Sequence, residues 1–140
     1  MEFLSKEEQL RIILRENPAD DENMPYHTWI RTVDDIVTFA EAWDELISSS
    51  SNFTPDFTCD DAIKAIMTGK ITVYSSHSIK NGTFVTPSAM EAASYAGSSG
   101  MYKAQMDIRD IAWIDEGQGM VATNNPISCS LISSLGRGIL

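Results

Sequence analysis

The periodicity of this chain changes once, at Gly69, and that change constrains the fold more than any other feature. Before it, apolar residues recur at three- and four-residue spacing behind helix-start signals; after it come short β-branched and aromatic runs separated by turn residues. Helices first and strands afterwards predict an α+β chain, with N-terminal helices packed on a small mixed β-sheet core. At 140 residues and 43% hydrophobic content, one core and a single domain are expected. Its parts are an acidic helical part over 1–69, a sheet part over 70–124, and a tail or added strands over 125–140.

Ser5 and Glu8 form a capping-box pattern, and Leu10, Ile13 and Leu14 recur on one face behind it. Pro18 ends that helix, and residues 17–29 carry two prolines and few periodic apolar positions, which predicts a loop. Thr32 offers the next cap. Ile36, Phe39, Ala40, Trp43, Leu46 and Ile47 then keep the spacing of an amphipathic helix, expected to pack on the sheet. A Ser-rich linker over 48–54 leads to a third helix capped by Thr58, with Ile63, Ile66 and Met67 as its expected buried face and Gly69 as its left-handed stop.

Residues 71–74 are a strand by propensity. Asn81-Gly82 is a turn dipeptide that lets residues 84–86 return as a second strand. Ser88 and Glu91 form another capping box, for a helix ending at Gly97. Further strands are expected over 101–108, 111–114 and 120–123. Gly117 and Gly119 allow close approach of the backbone to a ligand or neighbouring strand and leave Gln118 to point along a cleft. The segment 125–140 fits either a tail or strands that close the sheet.

The net charge of −10 is unevenly placed: residues 1–61 hold fifteen Asp/Glu against four Lys/Arg, residues 62–140 five against six. Such acidity repels bare phosphate backbones, so direct nucleic-acid binding is not expected, whereas a basic protein partner is allowed. The clusters Asp20-Asp21-Glu22, Asp34-Asp35 and Asp60-Asp61 fit solvated helix faces or a surface that imitates nucleic-acid charge, and Asp34-Asp35 and Asp60-Asp61 also fall in first helical turns, where carboxylates meet the positive end of the helix dipole. No run approaches the ~20 apolar residues of a membrane span, and the first residues lack a secretory pattern; a cytoplasmic protein is expected, without a membrane partner. Cys59 and Cys129 read as reduced thiols, and with only His27 and His77 beside them no metal site is expected. Gly97 and Gly100 do not form a phosphate loop, lacking a strand before and a helix after.

The order of pieces from Gly69 to Ala122, namely 71–76 (ITVYSS), 82–88 (GTFVTPS) into 90–96 (MEAASYA), then 112–116 (AWIDE), resembles the ADP-ribosyltransferase-like domains of phage head proteins and large phage polyproteins. The resemblance covers the C-terminal half. It implies an NAD cleft in which an Arg at the end of the first strand holds the phosphates, a Ser/Thr-rich strand shapes the nicotinamide pocket, and a Glu-x-Glu turn supplies the catalytic carboxylate. Here Ser75 follows Tyr74 where that Arg is expected, Thr86 and Ser88 fit the Ser/Thr-rich strand, and Glu116-Gly117-Gln118 carries Gln at the second acidic position. The resemblance thus makes Glu116 and Gln118 the catalytic candidates and Tyr74, Ser75, His77, Thr86, Ser88 and Tyr95 the NAD-binding candidates. His77 fits a ribose-holding role or a surface loop, Tyr95 a pocket wall or the core, and Trp113 the core.

Cleavage of the nicotinamide glycosidic bond develops positive charge on the ribose, which a carboxylate steadies and a neutral amide does not. A Ser hydroxyl likewise cannot reproduce the bidentate phosphate contacts of Arg. The leading expectation is a phage- or prophage-derived transferase-like protein, in the host cytoplasm, with a degenerate NAD cleft. Two alternatives stand beside it. One is an active mono-ADP-ribosyltransferase using Glu116, or Glu91 from the neighbouring helix. The other is a non-enzymatic acidic phage protein that binds a basic host protein, such as an inhibitor of a bacterial defence complex of the anti-CRISPR type.

Overall fold

The computed structural model describes residues 3–17, 30–49, 56–96, 100–115 and 117–132. The acidic run at 20–22, His27, most of the Ser-rich linker, Gly97 and residues 133–140 lie outside them.

Helix α1 (Lys6–Glu16) starts as its sequence dictates: the Glu8 N–H donates to Ser5 Oγ at 3.2 Å and Glu8 Oε1 accepts the Ser5 N–H at 3.0 Å. Its buried residues are Gln9, Ile12 and Ile13, a face rotated from the expected Leu10, Ile13 and Leu14. The reason is Gln9, which donates to the Arg109 and Ala122 carbonyls at 3.1 and 3.4 Å and ties the helix to the 3₁₀ turn Ile108–Asp110 and to the residue after the strand Gly119–Val121.

The helix expected to begin at Thr32 begins later. Thr32 caps only the 3₁₀ turn Val33–Asp35, because Asp35 Oδ2 reaches back to both the Arg31 and Thr32 N–H groups, and Ile36 leaves extended. Val37 then bridges Trp113, and a second box, Thr38 with Glu41, starts α2 (Phe39–Ser49). Asp34 and Asp35 therefore belong to the turn and not to α2. Phe39, Ala42 and Trp43 are buried, Ala40 is exposed, and the side chain of Leu46 lies outside the described set.

Helix α3 (Cys59–Thr68) is capped by Thr58 and Asp61 and stopped at Gly69, whose φ of +75° only glycine adopts at little cost. Its buried face is Ala62 and Ala65; Ile63, Ile66 and Met67 are exposed, the reverse of the expectation. Alanine carries only a methyl group, too small to hold the backbone away, so α3 packs closely on α2 and the first strand through its small face.

Among the described residues six strands follow: β1 (Lys70–Ser75), β2 (Phe84–Val85), β3 (Met101–Asp107), β4 (Ile111–Trp113), β5 (Gly119–Val121) and β6 (Cys129–Ile132), with α4 (Ala89–Ala96) between β2 and β3. They form two three-stranded sheets, β1-β3-β6 and β2-β5-β4, linked where Tyr74 and Thr86 exchange backbone hydrogen bonds of 2.8 and 3.0 Å. Across that link the order runs β4-β5-β2-β1-β3-β6. All described pairings are antiparallel, where a mixed sheet was expected. The physical reason is that the α4 connection joins β2 and β3, which flank β1 and so never pair with each other. Asn81-Gly82 does not close a β1-β2 hairpin either. The Asn81 amide clamps the Thr123 N–H and C=O at 2.9 and 3.0 Å, and the Gly82 N–H donates to Val121, so this turn docks on the end of β5. Part of the segment after 125 becomes β6 and extends the sheet.

Two cores result. The larger joins Phe39, Trp43, Phe57 and Trp113 to Ile71, Val73, Val85 and Val121; the smaller lies under α1 with Ile12, Ile13, Ile30, Ile36, Ala112 and Met120. Phe39 meets Trp113 edge-on at 4.8 Å and Trp43 lies 5.1 Å from Phe57.

Candidate functional site

The site is assembled where β2 runs into α4 and where the turn before β5 comes alongside. Ser88 is the N-cap of α4, and its Oγ accepts the Glu91 N–H at 3.0 Å, which is one half of a capping box. The other half is not made. Thr86 Oγ1 takes the Ser88 N–H at 3.2 Å, the bond Glu91 would otherwise accept, and Glu91 is released to point elsewhere. Its Oε2 accepts the Thr86 hydroxyl at 2.9 Å and its Oε1 accepts the Gln118 amide at 3.0 Å. Both of these donors are neutral.

Gln118 is aimed by its glycine neighbours. Gly117 has φ +78°, and a Cβ there would sit 2.7 Å from the Trp43 ring; a Cβ at Gly119 would sit 2.5 Å from Ile111 Cγ2. The backbone thus lies directly on α2 and β4, and the Gln118 side chain crosses to α4. The close approach foreseen for these glycines is to protein on both sides.

A second carboxylate enters from the segment before α3. Asp56 accepts the Ser88 hydroxyl at 2.9 Å and the Met90 N–H at 3.0 Å, so it occupies the start of α4, where the helix dipole favours negative charge. Tyr74 is beside it: burial first, and the charge of Asp56 second, push the Tyr74 phenol above its ordinary value. Tyr74 therefore remains a neutral donor through the physiological range.

Of the residues singled out by the sequence, Thr86, Ser88 and Gln118 converge directly, and Tyr74 is paired with Thr86. Ser75 does not join them. It is on the Ile71–Val73 face of β1, opposite to Tyr74, is buried, and its Oγ accepts the His77 N–H at 3.1 Å. An Arg introduced at Ser75 would enter the core face, so Ser75→Arg is not a conservative way to restore a phosphate clamp. His77 is exposed beyond the strand end. Glu116 and the side chain of Tyr95 lie outside the described residues. Asp56 has no signal in the sequence, because nothing in its local context shows that it meets α4. The release of Glu91 does have one: the extra hydroxyl of Thr86, two residues before the cap.

Chemically, Glu91 is a carboxylate fixed between a hydroxyl and an amide, able to stand beside a developing cation. Among the described residues no group of three or more His, Cys, Asp or Glu is arranged to hold a metal ion, and no helix is long and apolar enough to cross a membrane. No protein-family model, characterised protein or solved structure matches the chain.

Proposed function

We propose that the chain is an ADP-ribosyltransferase-like protein in which an NAD cleft persists with its chemistry reduced. The observation that carries the reading is the meeting of Thr86 and Gln118 on one carboxylate, Glu91. These residues come from the two sequence elements, the Ser/Thr-rich strand and the turn before β5, that the resemblance assigns to the nicotinamide pocket and the catalytic acid.

The donor set suits the nicotinamide riboside end of the ligand better than its phosphates. Thr86, Ser88, Gln118 and Tyr74 offer hydroxyl and amide groups around Glu91 and Asp56, while the position of the phosphate-binding Arg holds a buried Ser75. NAD supplies, when bound, a ribose carbon that becomes cationic as nicotinamide leaves. Glu91 lies one hydrogen bond from Gln118 and stands in for the carboxylate that Gln118 lacks. Thr86 and Gln118 orient Glu91, and Asp56 holds the start of α4 in place. Without the Arg, affinity falls, and with it the commitment of substrate to reaction.

A calorimetric titration with NAD, run beside an NAD-hydrolysis assay, tests this. Binding with little turnover is expected, with Glu91→Gln removing the residual turnover. Absence of binding by wild type overturns the cleft reading. Robust turnover untouched by Glu91→Gln overturns the role given to Glu91.

A further inference from the structure

We propose that the outward face of α3 is a docking surface for a basic amphipathic helix of a partner protein. This goes beyond the cleft and does not rest on it.

Ile63, Ile66 and Met67 stand at i, i+3 and i+4 and are 39%, 41% and 81% exposed. They form one continuous stripe, since residues three and four apart are neighbours on a helix. The helix is already anchored by Ala62 and Ala65, fully or almost fully buried on its other side, and it has full caps at both ends. Ile63 and Ile66 keep about two fifths of their surface in solvent and Met67 most of it, so the packing of their own helix uses the stripe only in part. Large aliphatic side chains displayed together on a well-held helix mark an interaction face, whereas isolated exposed apolar residues do not.

Charge selects the occupant. Asp60 and Asp61 open α3, and Glu41 and Asp44 lie exposed on α2, which packs against it; Lys64 is the only basic residue within the two helices. The wider chain agrees, with fifteen acidic residues against four basic ones over residues 1–61. A second copy would bring the same carboxylates against themselves, and the net charge of −10 opposes its approach. A nucleic acid is opposed by the same sign. A helix with Leu, Ile or Met at the same spacing and Lys or Arg on its flanks satisfies both the stripe and its rim. Apolar contact supplies the anchor, and the charges supply orientation and rate of encounter.

The probe is a fluorescein-labelled amphipathic peptide of Leu and Lys, with Leu at i, i+3, i+4 and i+7. Controls carry Glu for Lys, or Ser for Leu. Fluorescence anisotropy against wild type is expected to show saturable binding of the Leu/Lys peptide alone, weakening with salt. The triple variant Ile63→Ser, Ile66→Ser, Met67→Ser should bind at least about tenfold more weakly with its thermal midpoint retained, and Asp60→Lys should both weaken binding and flatten its salt dependence. Should the triple variant lose its fold, Met67→Asp carries the test, because that side chain is the most exposed of the three. Failure of the Leu/Lys peptide to bind overturns the proposal, as does equal binding of either control. Affinity unchanged by the stripe variants places the peptide on acidic surface elsewhere and likewise overturns it. Sedimentation that shows wild type dimerising through this stripe assigns the face to a second copy, which also overturns the proposal of a basic partner helix.

Discussion

Helices α2 and α3 lie side by side, carry similar apolar spacing, and point it in opposite directions. Each opens with a Thr whose hydroxyl accepts from an acidic residue three positions on, and each has a strip of large apolar side chains. In α2 the strip of Phe39 and Trp43 is buried under 6% exposure; in α3 the strip of Ile63, Ile66 and Met67 is outside, and the buried positions are alanines. Periodicity identifies the faces of a helix. Which face turns inward is decided by the surface it must meet, and beside α2 there is room for methyl groups only.

Trp43 separates the two helices most sharply. Trp43→Ala leaves a cavity between Phe39, Phe57 and the Gly117 turn and is expected to lower stability by ~3–5 kcal/mol in chemical denaturation. Less than ~1 kcal/mol would mean that α2 is no better buried than the strip of α3. Gly117→Ala comes next. The positive φ and the 2.7 Å approach to Trp43 together predict a loss of about 1–3 kcal/mol, and the shifted turn should draw Gln118 away from Glu91. A variant with unchanged stability would show that the turn does not rest on α2 as described. On the other helix, Met67→Ser should change stability by less than ~0.5 kcal/mol. A loss above ~2 kcal/mol would move the strip of α3 into the core.

Much of this fold is legible in the sequence, and the losses have physical causes. Ser5-Glu8, Thr58-Asp61 and the Gly69 stop are local chemistry, complete within a few residues, and each is found where its pattern lies. The start of α2 is not legible at Thr32, because Thr32 and Asp35 satisfy the same pattern while closing only a 3₁₀ turn; the competing box at Thr38 and Glu41 sits six residues on. The inverted face of α3 is hidden too, since hydrophobic strength and burial part company when neighbours leave little space. Antiparallel pairing throughout, and the docking of Asn81 on Thr123, depend on strands distant in sequence. The candidate site divides along the same line. Thr86, Ser88 and Gln118 are visible as residue types at the right places, whereas Asp56 reaches α4 only through the packing of the segment before α3.

The smallest expected effect concerns how α2 begins, and it isolates the charge carried by its cap. The Thr38 N–H, and then its hydroxyl, hold the Glu41 carboxyl below its ordinary value by favouring the charged form. A folded-state value that lies below the unfolded one contributes stability that is present above the unfolded value and lost as pH falls through the folded one. Glu41→Gln keeps the shape of the cap without the charge. Its stability deficit against wild type should therefore be constant near neutral pH and shrink below pH ~4, the ordinary carboxylate range. Thermal midpoints of both proteins between neutral pH and about pH 3 measure this. A deficit that stays level across the range would show that the charge of Glu41 is immaterial to the cap. A shrinking deficit would show that this charge strengthens the Thr38 box that opens α2.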